Sequence, residues 1–371
     1  MRPHHRAARR RLTLILLSLV TALLAAVPAT LPATASTAAG SLGGYAANPS
    51  NPLAGGSWGV YTGSADGVYP AYEKAEGTEK ALLAKVALRP RVRWFGGWMS
   101  ARDAGSKLRD YIRTTQNGDQ NVLVQLAVFR LWPEGEGAKN KPLTLEQQAA
   151  YRHWIDVAAA AIGSARVAMV LEPDLAVALN GWRPRVRMQL TAYAARVFGK
   201  LPRTSVYIDA SDSDWLSIPK ARDLLLRSGL RYVRGFALGA THYSGTAANI
   251  RYGRRLVAAL AAAGVGRRHF VIDTADNGRP FTWLQYWAKH PDGDFDNAAP
   301  CRNRTERRCN TLGIPPTSRV AASRWNLPAK LRPVARRHVD GYLWFGRPWL
   351  YRQASPFLLE RTLQVARTTR F

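Results

Sequence analysis

Seven short apolar runs separated by segments of helical spacing predict an α/β fold on a parallel sheet, either a parallel β/α barrel or an open doubly wound sheet. Three observations carry that expectation. The runs alternate strictly with helical stretches. Most are continuously apolar, as strands covered on both faces must be. Apolar residues make up 47% of the 371-residue chain, which suffices for a large core.

In chain order, strands are expected at 91–96 (RVRWFG), 121–129 (NVLVQLAVF), 165–173 (ARVAMVLEP), 204–210 (TSVYIDA), 232–240 (YVRGFALGA), 268–274 (RHFVIDT) and 340–346 (DGYLWFG). Between them, Leu145–Ile162 places apolar residues on one helical face behind a Thr144 cap. Pro184–Phe198 and 249–263 repeat the pattern, and a closing helix is expected over 356–368.

The start of the chain reads differently. Residues 1–35 carry Arg2, Arg6, Arg9, Arg10 and Arg11 and no acid, then an apolar run over 12–27, then Ala33-Thr34-Ala35. This is the layout of a secretory signal cleaved before Ser36, by the general or the twin-arginine route. Spanning a bilayer takes about 20 apolar residues. The run is shorter than that, and no later run is long enough, so the product is expected to be exported with no stable membrane span. Residues 36–57, rich in Ser, Ala, Gly, Asn and Pro, read as a linker or irregular N-terminal arm. No shift of composition divides 58–371, which is expected to form a single domain and a monomer.

The chain has 53 Lys+Arg against 25 Asp+Glu, a formal charge of +28, of which the five signal arginines account for five and leave +23. At 21% of the chain, charged residues are too sparse for a disordered polycation. A basic, aromatic-rich surface can mark a nucleic-acid binder, but the export signal argues against that partner. The basic clusters at 301–309 and 332–337 would either hold the protein on an anionic cell-envelope polymer or be a solvated surface. In an oxidising compartment Cys301 and Cys309, in CRNRTERRC, read as a local disulfide rather than two free thiols. The further ligands of a metal site are missing, and neither a metal nor a cofactor is expected.

In both folds chemistry collects at the carboxyl ends of the strands. Those ends present Trp94, then Phe129 with Trp132, Glu134 and Glu136, then Glu172 and Asp174, then Asp209, Asp212 and Asp214. His242 and Tyr243, Asp273 and Asp276, and Trp344 and Arg347 follow. Acids are scarce in this chain, so their gathering at one rim carries weight. Carboxylates among exposed aromatic rings suit carbohydrate, whose C–H faces stack on rings while its hydroxyls bond to carboxylates. In LEPDL, Pro173 forbids helix before it and throws Asp174 out at the strand end. An apolar collar would raise the pKa of that carboxyl, as a general acid requires; the competing reading is that Asp174 caps the next helix. Asp209-Ala-Ser211-Asp-Ser213 also fits a divalent-metal adhesion motif, although the rest of that fold's order is missing. PDGDFDN (291–297) resembles the start of a calcium loop but lacks its glycine and bidentate acid, and reads as a solvated loop.

AYRHWID, the apolar strand and LEPDL (150–175) resemble glycoside hydrolase family 6, the cellulase family of endoglucanases and cellobiohydrolases. TSVYIDASDSDW, FVIDTADNG, CNTLGIPPT, DGYLWF and VRWFGGW continue the likeness in family order over residues 90–346. The resemblance implies a distorted seven-stranded parallel β/α barrel and inverting hydrolysis of β-1,4-glucan. It implies Asp174 as general acid, and Trp94, Asp209 and Trp215 at the substrate site. His242 stands where the family has Asn, either as a sugar hydrogen-bond donor or as a packed ring. Trp344 and Arg347 are expected against substrate after the last strand.

The chain also departs from the family. After the second strand the family has Tyr-x-x-Pro-x-Arg-Asp-Cys; here Glu136 takes the aspartate position, with Glu134 as the nearby competitor. A family disulfide is lost at both ends, Gly137 and Trp182. After the last strand, Gly346 takes the place of a substrate-binding lysine and Arg352 that of the aspartate proposed as base, while Arg347 can restore the lysine's charge. Three readings follow: water is deprotonated through another acid such as Asp209 or Asp276, the substrate differs, or the protein binds or tailors glycan without the family's cutting power. The short loop before the closing helix implies an open groove and endo action.

Overall fold

The computed structural model describes residues 51–371; the expected signal segment and most of the arm lie outside the described residues. Each apolar run becomes a strand: β1 Arg93–Gly96, β2 Val124–Phe129, β3 Val167–Leu171, β4 Thr204–Asp209, β5 Gly235–Leu238, β6 His269–Asp273 and β7 Val339–Leu343. Neighbours in the chain are neighbours in the sheet, and every pair is parallel. The outer strands form no ladder with each other. Their edges meet through the Val92 N–H, which donates to the Trp344 carbonyl at 2.9 Å, and the Trp94 indole, which donates to the Phe345 carbonyl at 2.8 Å. The sheet is therefore curled into a distorted barrel, and the doubly wound alternative is set aside.

Alternation along the strands explains the continuous apolar runs. Ala127, Ala168, Val170, Tyr207, Ala237, Val271 and Leu343 fill the barrel, while Leu126, Val128, Met169, Ile208, Phe236 and Ile272 belong to the core beneath the helices. A Cβ at Gly235 would collide with the His269 carbonyl of the neighbouring strand. At the amino-terminal end, buried Asp340 is ion-paired with Arg234 at 2.9 Å and accepts from the Tyr207 hydroxyl at 2.7 Å. Residues 51–57 cross this end, with Leu53 buried in the lumen cluster and the Asn51 amide donating to the Asp340 carbonyl at 2.7 Å.

The described helices are α1 Val68–Lys74, α2 Gly77–Ala87, α3 Ala101–Gln116, α4 Leu145–Ile162, α5 Pro184–Phe198, α6 Ile218–Arg227, α7 Thr246–Ala262, α8 Trp283–Trp287, α9 Arg332–His338 and α10 Leu359–Thr368. Helices α4 and α5 keep the expected bounds. Thr144 and Gln147 form a reciprocal capping box at the start of α4, at 3.0 and 3.1 Å. Helix α10 begins later than expected because the residues before it pair as extended chain: Phe357 bridges to Leu350, and the Leu358 N–H donates to the Trp349 carbonyl. Cys301 and Cys309 form a disulfide. No helix among the described residues is long and apolar enough to cross a membrane.

Candidate active site

A cleft of about 1480 Å³ runs along the carboxyl ends of the strands. Small-molecule pockets are about 300–1,000 Å³, so the cleft has room for several units of a polymer.

Asp174 reaches it through an unusual turn. Glu172 and Asp174, on either side of Pro173, both adopt left-handed backbone, with φ of 52° and 63°. Glu172 is thereby sent back into the protein, where it accepts from the Arg130 N–H at 2.9 Å, the Leu131 N–H at 3.1 Å and the Tyr151 hydroxyl at 2.7 Å. Burial lifts its pKa to about 7 against those three donors. Asp174 enters the cleft wall and accepts from the Thr241 hydroxyl at 2.9 Å. Its side chain makes no capping bond to the turn Leu175–Asn180 that follows, so the capping role is not realised. Burial raises its pKa to about 6, opposed by the Thr241 bond and assisted by the charge of Asp296.

Glu136 faces Asp174 from the short turn Glu136–Ala138, with one carboxyl oxygen buried and unpartnered. Burial first, then the Asp174 charge, push its pKa up to about 9, so it holds a proton at neutral pH. Glu134, its competitor, points away from the cleft and is paired with Lys141 at 2.9 Å and Gln147 at 3.1 Å.

Of the aromatic residues expected at the site, Trp94 and Trp215 line the cleft and Trp344 does not. Trp344, expected against substrate, is 1% exposed and absent from the cleft wall; it packs with Val68, Val86 and Val365 and donates its indole N–H to the Ile314 carbonyl. Trp94 lines the cleft but is 6% exposed, with the Arg347 guanidinium 3.9 Å over its ring. Trp215 is on the wall. The open ring faces belong to Trp98, 58% exposed, and Trp283, 43% exposed, both lining the cleft. Sequence reasoning passed over both. The Gly96-Gly97 turn before Trp98 and the Thr282 cap before Trp283 were the available signals.

His242 lines the cleft and is tightly packed there. It stacks on Trp215 at 4.9 Å between centroids and lies 6.1 Å from Trp283, and its Nδ1 is 2.8 Å from Asp214. Burial opposes its protonation, but the Asp214 bond and the charges of Asp212 and Asp214 raise its pKa. Ligand-type atoms of Asp212, Asp214 and His242 lie within 4.8 Å of one another, a spacing that a cation could use. All four carboxylate oxygens already accept hydrogen bonds, from Ser213, Asn249, His242 and backbone N–H groups including that of Trp283. The set therefore orients His242 and holds α8 beside the cleft.

Asp209, expected at the substrate site, lies deeper. It is fully buried behind Asp174, outside the cleft wall, and its carboxyl is raised well above the usual range by burial and by the Asp174 charge. Asp276 lies equally deep, with both oxygens unpartnered and its pKa far above the usual range from burial and the charge of Asp273. Neither is on the cleft wall. A side chain at Gly346 would force the neighbouring carboxylates to shift, since a Cβ would lie 2.7 Å from Asp273 and 2.8 Å from Asp276. Among the cations on the wall is Arg347, whose pKa burial lowers to about 9 against the pull of Asp174 and Asp273.

The loop 291–297 is only partly solvated. Phe295 is buried within 5.2 Å of Tyr243 and 4.8 Å of Trp283, ring to ring, and Asp296 emerges on the cleft wall. Much of the Asp296 surface remains exposed at the rim, yet the protein around it, followed by the Asp294 charge, raises its pKa.

The family model "Glycosyl hydrolases family 6" matches residues 60–324. Endoglucanase A of Cellulomonas fimi is 33% identical over 212 residues, covering 57% of this chain and 44% of that protein. Endoglucanase 1 of Streptomyces halstedii is 28% identical over 214 residues, covering 57% and 65%. The matches thus span less than two thirds of these relatives. The endoglucanase Cel6 of Mycobacterium tuberculosis, solved with methyl-cellobiosyl-4-deoxy-4-thio-β-D-cellobioside, superposes with a TM-score of 0.65 at 25% identity, covering 85% of this chain and 98% of that one. The catalytic core of the cellobiohydrolase Cel6A from Chaetomium thermophilum gives 0.64 at 18% identity, a likeness of fold.

Proposed function

Because the chain belongs to glycosyl hydrolase family 6, we propose that it is an exported endo-acting hydrolase that cleaves β-1,4-glucosidic bonds with inversion, using Asp174 as general acid. One observation carries this reading: the Asp174 carboxyl stands on the wall of a cleft whose exposed rings are Trp98 and Trp283, and burial raises its pKa to about 6. A group with that pKa is about half protonated at pH 6 and still about one-tenth protonated at pH 7, and the protonated fraction can pass its proton to the glycosidic oxygen. Glu136, itself protonated, adds no full negative charge of its own beside Asp174 when Asp174 ionises. Endo action is supported by the relatives named endoglucanases and by the short chain between β7 and α10. The basic clusters at 301–309 and 332–337 fit retention on an anionic envelope polymer after export.

Asp174→Asn keeps the shape of the side chain and removes the proton. Reducing-end release from soluble β-1,4-glucan should fall about 100- to 10,000-fold, the usual worth of a general acid, with oligosaccharide binding retained. Release unaffected by the substitution contradicts the mechanism. A second reading, a glycan-binding or glycan-tailoring relative, is favoured by Arg347 covering Trp94 and by Arg352 at the family's base position. Binding of glucan by the wild type without release would support that reading.

A further inference from the structure

Inversion needs a second carboxylate that takes a proton from the attacking water on the far side of the sugar. Among the described residues five carboxylates line the cleft: Asp66, Glu136, Asp174, Asp214 and Asp296. Four are committed elsewhere. Asp66 is ion-paired with Arg91 and accepts from the first N–H groups of α1. Both oxygens of Asp214 are engaged, by His242 and by the Trp283 N–H. Asp174 is the acid of the reading above, and Glu136 already carries a proton. Asp296 remains: the protein around it and the charges of Asp294, His242 and Arg352 act on it, and among the described residues no hydrogen bond holds its carboxylate.

We infer that Asp296 is the catalytic base of this cleft, presented by the loop between β6 and β7 in place of the acid missing after β7. The loop is fixed rather than loose. Phe295 anchors it in the aromatic cluster of Tyr243, Phe281 and Trp283, and the Ala298 carbonyl accepts from Arg361 at 2.8 Å. Arg352 clamps its other side, pairing with Asp294 at 3.0 Å and donating its backbone N–H to Asn297 at 3.4 Å. The residue standing at the family's aspartate position thus holds the loop that supplies another aspartate, and it acts as a positioning residue. The charge of Asp296 reaches both Asp174 and Glu136, raising both. In the step, Asp296 takes a proton from water as the water oxygen bonds to the anomeric carbon. The glycosidic C–O bond breaks, its electrons go to the leaving oxygen, and Asp174 protonates that oxygen. Solvent then returns the proton from Asp296 to Asp174, and one water is consumed for each bond cleaved.

This inference rests on the hydrolase reading, and the experiment separates the two. Asp296→Ala, Asp296→Asn and Asp174→Asn are compared with the wild-type chain on a soluble cello-oligosaccharide, following rate, pH profile and the anomer first released. Expected are an α-anomer from the wild type and kcat lower by about 100-fold or more for both Asp296 variants, with KM within about threefold. The acidic limb of the profile should be lost in both, and added azide should restore turnover of Asp296→Ala as α-glycosyl azide. The near-isosteric Asp296→Asn should retain the wild-type melting temperature, which excludes misfolding as the cause. Asp296 variants within about threefold of wild type, with the acidic limb intact while Asp174→Asn is inactive, would overturn the base and leave the hydrolase. A β-anomer overturns the base, and no release by the wild type overturns both.

Discussion

Two left-handed residues separated by a proline send neighbouring carboxyls in opposite directions, Glu172 into the protein and Asp174 into the cleft. Non-glycine residues in that conformation are uncommon, and they persist where the surroundings over-determine them. Glu172 shows how: three donors fix it. Thr241 then tunes Asp174. Its hydroxyl bonds to the charged carboxylate, so it holds the pKa below what burial alone would give. Thr241→Val, close in shape but unable to donate, removes that stabilisation of the charged form. Asp174 should stay protonated to higher pH, and the falling basic limb of the kcat/KM profile should move up by about one pH unit, the equivalent of a hydrogen bond of ~1.4 kcal/mol. A limb that stays in place or moves down would show that Asp174 is not the group titrating there. The identity and strand-end place of Asp174 were legible because Leu-Glu-Pro-Asp is a local signal. The exposure of Trp98 and the burial of Trp344 were not, because past a strand's end alternation no longer fixes which way a ring points.

Elements carry the site by being tied to each other. Tyr151 on α4 donates to Glu172 after β3, and Glu172 accepts from the chain after β2. One buried carboxyl thus joins two strand ends and a helix. Tyr151→Phe leaves the ring in place and deletes one bond to a buried carboxyl, which should cost about 1–3 kcal/mol of unfolding free energy. Urea denaturation reads this directly; a change below about 0.5 kcal/mol would mean that the remaining two donors suffice. The bounds of α4 could be read beforehand because Thr144, Gln147 and Gly163 mark its ends chemically. The start of α10 could not. There the pairing of Phe357 with Leu350 replaces helical bonds, and nothing local to 356–358 encodes it.

Across the whole molecule, the buried acids set how stability responds to pH. Burial brings Glu172 and Asp273 to about 7 and Asp174 to about 6. The unfolded chain releases these protons near pH 4, so between about pH 4 and 7 the folded state binds more protons and stability falls as pH rises. Asp340, which burial would raise, is brought below the usual range by His269 and Arg234. Its contribution runs the other way, and is lost only as pH falls below about 4. The melting temperature should therefore be several degrees higher near pH 5 than near pH 8, and the reverse order would contradict the burial of these acids in ionisable form. The sequence by itself determined the number and order of the strands, the parallel sheet, α4 and α5, and an acid at the end of β3. These follow from apolar runs, caps and a proline, all signals carried within a few residues. Only the tertiary structure decided between barrel and open sheet, which rings face the cleft, and the place of Asp296 near Asp174. Those outcomes depend on contacts between segments far apart in the chain, where no local preference governs what meets what.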